Sequence, residues 1–410
     1  MKIYLINQSL SGGGAAIACR RLYRALQSEG VDVSMISSGR EAGWFFWFKS
    51  IVGRLIDKLV LILMRTTNKT HHSLSLFGSG IGNTKAIANA DLVHLHWINN
   101  GCMSIWDIRK MARTKPVVWT LHDMWAFCGA EHYIGEFDDK RYQLGYSRFN
   151  RNHGESGLDV NRWIWNLKKH VIPKNIVYVT PSHWLASEVK KSALLNGCRV
   201  EVIPNAIDTD YWAPGDKRTV RQAFGISSEE YTLLFSSASG YREWRKGEDL
   251  LAEVIATIKT RSNKKIVAIV VGGDSDFLGE DTDSFRTISV GFLHSSDDIK
   301  KWYQAADIVI VPSRLDNFPN VALEAMACGV PCCAFDSGGI VEAVDNGRNG
   351  IIAAREDANG MAEKILDLIE SEDKLKDMAL NAREKVVRDY SPDKIAACHA
   401  NLYNELVLNR

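Results

Sequence analysis

Short runs rich in β-branched and other apolar residues alternate with helical patterns along this chain, and that alternation constrains its fold more than any other feature. Ile3–Ile6, Val31–Ile36, Leu92–His96, Val117–Leu121 and Ile176–Thr180 form one series of strand-like runs. Tyr231–Phe235, Ile266–Val271, Ile308–Val311 and Pro331–Phe335 form a second. Strands separated by helices cannot pair as hairpins. They pair in parallel, and the crossover helices cover both faces of the sheet. The series is interrupted at Ile203-Pro204-Asn205-Ala206 and the polar stretch Asp208–Lys217. The expected architecture is therefore α/β, with two Rossmann-like doubly wound domains, 1–203 and 204–391. With 410 residues the chain is long enough for two such cores. Ligands of open α/β sheets bind beyond the carboxyl ends of the strands, so two domains facing across a cleft would place strand ends on both walls.

Charge excludes one large class of function. Lys+Arg number 50 and Asp+Glu 49, so no global basic field exists for bulk nucleic-acid binding. An anion must be held by local geometry. The eight cysteines are scattered without a CxxC, which favours reduced, buried thiols over a disulfide framework. Met1–Ile6 reads as a strand and lacks the long apolar core of a signal peptide, so a cytoplasmic location is expected.

Residues 44–65, WFFWFKSIVGRLIDKLVLILMR, are the least ordinary segment. Lys49, Arg54, Asp57, Lys58 and Arg65 interrupt every apolar run, which argues against a spanning helix. As an amphipathic helix it carries a broad apolar face that includes Trp44, Phe45, Trp47, Ile51, Leu55, Leu59, Ile62 and Leu63. Aromatics with cations suit the inner-leaflet membrane surface; the alternative is a core helix with solvated lysines.

Two motifs point to phosphate. Ser11-Gly12-Gly13-Gly14 follows the first strand and precedes a helix over Ala15–Ser28. Backbone amides at a helix start attract phosphate, and glycine permits close approach. The dinucleotide fingerprint fails, because Ile17 stands where its third glycine belongs. In the string Pro312–Gly329, a strand ends near Pro312, Asp316 and Asn317 are residues of the capping type, and Pro319 suits a first helical turn. The amides of Asn320 and Val321 would face an anion, and Glu324 lies about one turn inside, where a carboxylate accepts ribose hydroxyls.

This string resembles the hallmark of the retaining glycosyltransferases of family 4, which have the GT-B fold: an acid, seven residues, a Glu, then an Ala–Met–Ala–x–Gly–x–Pro run. Here the acids are Asp316 and Glu324, followed by Ala325–Pro331. The first acid is usually Glu, and Asp316 is one methylene shorter. Val202–Asp208 resembles the interdomain hinge of that family, and Arg245–Leu251 its basic motif. Thr120-Leu121-His122-Asp123-Met124-Trp125, with Glu131-His132-Tyr133, is similar to a polysaccharide and O-antigen branch. The final helix, within 392–410, resembles one that crosses back onto the first domain.

The resemblance implies a transferase acting on a nucleotide-diphosphate sugar without a cofactor or bound metal. It implies that Lys246 and Arg242 stabilise the leaving diphosphate, with Arg245 the alternate arginine, and that His122 stands beside the donor sugar. Asp316 is assigned to sugar binding and electrostatics. Gly12, Gly13, Asn320, Val321 and Glu324 would bind the donor, with Phe292 and Leu293 lining the base pocket or, alternatively, packing in the core. Trp97, Trp125, His132 and Tyr133 would meet a saccharide or a polyprenyl-pyrophosphate-linked acceptor. Metal readings are weaker: Asp274-Ser275-Asp276 is a DxD, and His94, His96, Cys128 and His132 have ligand chemistry.

Overall fold

A computed structural model describes all residues except 41–42, 237–242, 274, 294 and 409–410. The chain divides into two compact units, Met1–Ala206 with Asp393–Arg410, and Ile207–Pro392.

The first unit holds a six-stranded sheet of β1 (Ile3–Ile6), β2 (Val33–Ile36), β3 (Leu92–Leu95), β4 (Val117–Thr120), β5 (Val177–Thr180) and β6 (Val200–Val202). The order is β2-β1-β3-β4-β5-β6 and every pairing is parallel. β1, β3, β4 and β5 are buried along their whole length, as expected for strands covered on both faces. The C-terminal helix Pro392–Leu408 contributes Ile395, Ala396, Leu402 and Tyr403 to the core of this sheet.

The second unit repeats the plan with β7 (Glu230–Ser236), β8 (Lys265–Val271), β9 (Phe285–Gly291), β10 (Ile308–Val311), β11 (Cys332–Phe335) and β12 (Gly350–Ala353), in the order β12-β11-β10-β7-β8-β9, again all parallel. Side chains of a strand alternate between faces. Val267, Ile269 and Val271 accordingly join one core cluster, while Ile266, Ala268 and Val270 join the other. The sheet is thus packed on both sides, and the two-domain α/β architecture read from the alternation is what the chain adopts.

Three strands, β6, β9 and β12, were not among the apolar runs. All three lie at sheet edges. β6 and most of β9 are only partly buried, and Arg286, Thr287 and Ser289 break any apolar run in β9. β12 is only four residues long, and its first and last are Gly350 and Ala353, which leaves Ile351 and Ile352 as its apolar run. The capping residues also differ from expectation. Pro319 is the N-cap of the helix Asn320–Ala327, and Asp316 accepts from the Asn317 amide.

All eight cysteines are free thiols, and six of them are buried. Among the described residues no helix is long and apolar enough to cross a membrane.

Candidate functional site

In each sheet the strand order reverses direction once, between β1 and β3 and between β7 and β10. Ligands of doubly wound sheets bind at such switch points, beyond the carboxyl ends of the strands.

In the second unit a small pocket lies at that place. Ser236 and Val311, the last residues of β7 and β10, line it together with Pro312, Ser313, Lys246, Asp316, Pro319 and Val321. Lys246 closes a single 3-10 turn, Trp244–Lys246, before the helix Glu248–Arg261. Gly247 joins them at φ +66°, where a Cβ would come within 2.1 Å of the Pro312 carbonyl oxygen. Only glycine lets the lysine loop lie this close to the end of β10. Lys246 Nζ donates to Asp316 Oδ2 at 2.7 Å, and Arg245 Nη1 lies 3.4 Å from the same oxygen. Burial by itself would raise the Asp316 carboxyl, but Lys246 and Arg245 outweigh it and hold it below the usual carboxylate value.

The pocket also faces the start of the helix Asn320–Ala327, whose first-turn amides point out of its N-terminus by construction. Glu324 is buried in this helix and accepts a 3.1 Å hydrogen bond from the Tyr303 hydroxyl. Lysine, a helix N-terminus and a held carboxylate together form a site for an anion attached to a hydroxylated group. Arg314 braces the loop from behind, donating to Asp249 at 2.6 and 2.5 Å and to Glu356. Phe292 is exposed, whereas Leu293 packs partly against the core, so the two part company. Arg242 and Asp274 lie outside the described residues.

In the first unit, Gly12 and Gly13 follow β1 at φ +79° and +77°, and a Cβ on either would meet open space. They precede the helix Gly14–Ser28, whose N-cap is Gly13. Glycine at both positions permits the close approach of an anion to the backbone.

A dense polar cluster follows β3 and β4. His122 Nε2 is 3.0 Å from His96 Nδ1. His96 Nε2 has no hydrogen-bond partner among the described residues. A buried N–H without an acceptor is the rarer defect, so the network assigns the proton to His96 Nδ1 and makes His122 Nε2 the acceptor. His122 then presents Nδ1–H. Burial lowers its pKa to about 4, against the opposing charge of Asp123, so the ring is neutral at pH 7.

Asp123 Oδ2 accepts from His132 Nδ1 at 2.6 Å and from Trp97 Nε1 at 2.9 Å. Burial would raise this carboxyl, yet His132 and the other donors bring it down to about 2. His132 Nε2 is 3.0 Å from Ser73 Oγ, which lies 3.2 Å from His71 Nε2. Trp97 is half-buried at the edge of this cluster. Trp125 is only 1% exposed, with its indole N–H on the Ser73 carbonyl, and Tyr133 is buried with its hydroxyl on the His122 carbonyl. His132 is likewise only 3% exposed, so His132, Trp125 and Tyr133 support the cluster from beneath in this structure, while Trp97 and His122 reach its surface. Asp123, His71, Ser73 and Tyr303 complete the two sites without having been singled out. Only Asp123 carried a sequence signal, inside the quoted His122-Asp123 string.

The His94, His96, Cys128 and His132 set does not assemble as a ligand shell. His94 directs Nδ1 to the Tyr403 hydroxyl and Nε2 to Thr120 Oγ1. Among the described residues no group of three or more His, Cys, Asp or Glu side chains is placed to hold a metal ion.

Two doubly wound, all-parallel α/β units in one chain are the architecture of the GT-B class. Two solved structures share this fold over the whole chain. Sucrose-phosphate synthase of Thermosynechococcus elongatus matches with a TM-score of 0.66 at 17% identity, covering 100% of both chains. Anabaena HepE in complex with UDP matches with a TM-score of 0.62 at 18% identity, covering 99% of this chain and 100% of that one. The family model Glycosyltransferase Family 4 matches residues 12–211, and Glycosyl transferases group 1 matches residues 216–385. Together these matches support placing the chain among the family 4, group 1 glycosyltransferases. The D-inositol 3-phosphate glycosyltransferase 2 of Catenulispora acidiphila is 33% identical over 235 residues, which are 54% of this chain and 54% of that protein. The chain thus spans about half the length of the curated relative it matches.

Proposed function

We propose that the chain transfers a sugar from a nucleotide-diphosphate sugar to a saccharide or lipid-linked saccharide acceptor, with retention of configuration, in the assembly of a surface polysaccharide such as an O-antigen unit. The observation that carries the reading is the second unit's pocket, where Lys246, Asp316 and the start of the helix Asn320–Ala327 meet while Tyr303 holds Glu324. The family matches and the UDP bound by HepE support a nucleotide-sugar donor.

In this reading Glu324 accepts the ribose hydroxyls and the amides of Asn320 and Val321 receive the diphosphate, with Gly12 and Gly13 contributing backbone to it. Phe292 and Leu293 border the base. Lys246, and Arg242 with it, stabilise the negative charge that grows as the bond from C1 of the sugar to phosphate oxygen breaks. The acceptor oxygen bonds to C1 on the face the phosphate leaves, and its proton passes to that phosphate. Retention by this route needs no carboxylate nucleophile, and Asp316 binds sugar hydroxyls. His122 offers Nδ1–H beside the donor sugar. Trp97 and Asp123 receive the acceptor, with His132, Trp125 and Tyr133 beneath them. The chemistry uses no metal or cofactor and is placed at the cytoplasmic face of a membrane.

The relative's name favours a second reading, in which the acceptor is a soluble phosphorylated polyol. A thermal-shift panel of UDP-, GDP- and ADP-sugars identifies the donor through the stabilisation that specific binding confers. Turnover is then measured with inositol phosphate, with a polyprenyl-pyrophosphate saccharide and with no acceptor, and the anomeric configuration of the product is read by NMR. Lys246→Ala is expected to lower kcat about 10²–10³-fold, the usual loss for a charge-stabilising donor. Equal turnover without any acceptor would replace transfer by hydrolysis or epimerisation. Wild-type kcat in Lys246→Ala would remove the catalytic reading altogether.

A further inference from the structure

The helix Trp44–Ile62 is attached to the first unit by its polar side. Its only buried residues are Ser50, Gly53 and Asp57. Asp57 Oδ2 accepts from the amides of Leu74 and Ser75 at 3.0 and 3.3 Å. Ser50 Oγ donates to the Asn100 carbonyl at 3.2 Å. A Cβ on Gly53 would stand 3.0 Å from the Phe77 carbonyl oxygen, so the helix backbone lies directly on its support.

The apolar side faces outward. Trp44 is 70% exposed, Leu59 65% and Ile62 70%, and Phe45, Phe48, Val52 and Leu55 are exposed with them. At about 100° per residue these seven fall within one arc of roughly 100°, with the attachment face opposite. Lys49 borders the stripe on one side and Lys58 on the other, with the partly buried Arg54 farther round on the Lys58 side. Lys49 Nζ lies 4.3 Å from the centre of the Phe45 ring. Asp57, the helix's only acid, is turned inward, so the exposed surface is apolar and cationic without a compensating carboxylate. A core helix with solvated lysines would show the opposite burial.

We infer that this helix is an in-plane anchor for an anionic lipid surface. Its aromatic and aliphatic stripe enters the boundary between headgroups and acyl chains, and Lys49, Arg54 and Lys58 meet lipid phosphates. The membrane placement of the proposed function rests on this same surface, and the inference adds to it the inserting residues and the lipid charge. Charge complementarity selects lipid over a second copy of the chain, because pairing two such faces would bring the cations of one against those of the other. The same helix is fixed through Asp57 to Leu74 and Ser75, next to the Ser73 hydroxyl of the His132–Asp123 cluster. Lipid contact and the acceptor cluster thus share one rigid support within this unit.

The test is co-sedimentation of the full chain with phosphatidylcholine vesicles and with vesicles that also contain phosphatidylglycerol, in the absence of nucleotide. The expected result is at least tenfold tighter binding to the anionic vesicles, weakened by salt. Leu55→Ser/Leu59→Ser/Ile62→Ser should lose at least tenfold in binding, and Lys49→Glu/Lys58→Glu should lose the preference for anionic lipid. Brominated acyl chains should quench fluorescence that the Trp44→Phe variant lacks. Thermal midpoints within a few degrees of wild type establish that the variants are folded. The inference fails if the wild type ignores vesicles or if the triple variant binds as well as wild type. It also fails if the wild type is a dimer in sedimentation velocity that the triple variant converts to a vesicle-indifferent monomer. Because vesicle binding is read without nucleotide, a chain that binds vesicles but transfers no sugar in the separate turnover assay would sink the functional proposal and leave the anchor standing.

Discussion

Tyr303 is 1% exposed, and its hydroxyl has one buried carboxylate to satisfy, that of Glu324. Removing the hydroxyl takes away a hydrogen bond to a charged group, which contributes about 1.5–3 kcal/mol when fully formed. Tyr303→Phe keeps the ring in the core, so the loss should appear in donor affinity. The expected outcome is a roughly tenfold rise in the donor KM with kcat nearly unchanged, measured by steady-state kinetics. A fall in kcat at constant KM would remove Glu324 from ground-state donor binding. At this scale the Asp316–Glu324 pair was readable in the sequence, because both acids lie in one local string, a strand end followed by a helix start that Pro319 and Asn320 mark. Tyr303 was not readable, because its helix meets Glu324 only through packing.

Among the elements, the loop from Trp244 to the helix Glu248–Arg261 depends on one backbone conformation. Gly247 adopts φ +66° with the Pro312 carbonyl oxygen in the space a side chain would need. Gly247→Ala adds both left-handed strain of about 1 kcal/mol and a clash with backbone that cannot turn aside. Its expected effect is a drop of several degrees in the thermal midpoint, together with weaker nucleotide binding as Lys246 shifts. A midpoint equal to wild type would show that the loop adopts another conformation. Strand content was legible where strands are central, since burial on both faces demands continuous apolar runs such as Ile266–Val271. The edge strands β6 and β9 escaped because a partly buried strand tolerates polar residues.

At the level of the molecule, the first unit carries six histidines that burial keeps neutral. His94 and His96 are held well below their ordinary pKa, His71, His72 and His122 at about 4 and His399 at about 3. Below pH 6.5 the unfolded chain takes up protons at these six sites and the folded chain does not. Stability therefore falls as pH falls from about 6.5 towards 4, and these groups contribute nothing to the slope above that range. Glu131 acts in the opposite sense. Burial, partly offset by Arg141 and Tyr146, raises it to about 6, so the folded chain binds the extra proton between 4.5 and 6. Six sites outweigh one, and the thermal midpoint of the first unit should drop between pH 7 and pH 5, as followed by calorimetry. A midpoint that stays level or rises over that interval would mean that these rings are charged in the folded chain.

The sequence by itself determined the two parallel sheets, because alternating apolar runs and helices have few other ways to bury their faces. It also determined the donor-site string, whose residues are local to one strand end and one helix. The tertiary structure decided which way the helix Trp44–Ile62 faces. A periodic stripe states which residues share a side of a helix but not what covers that side. Here the amides of Leu74 and Ser75 capture the Asp57 carboxylate, and the close support behind Gly53 admits no side chain, so the small and polar side turns inward and the aromatic side is left out.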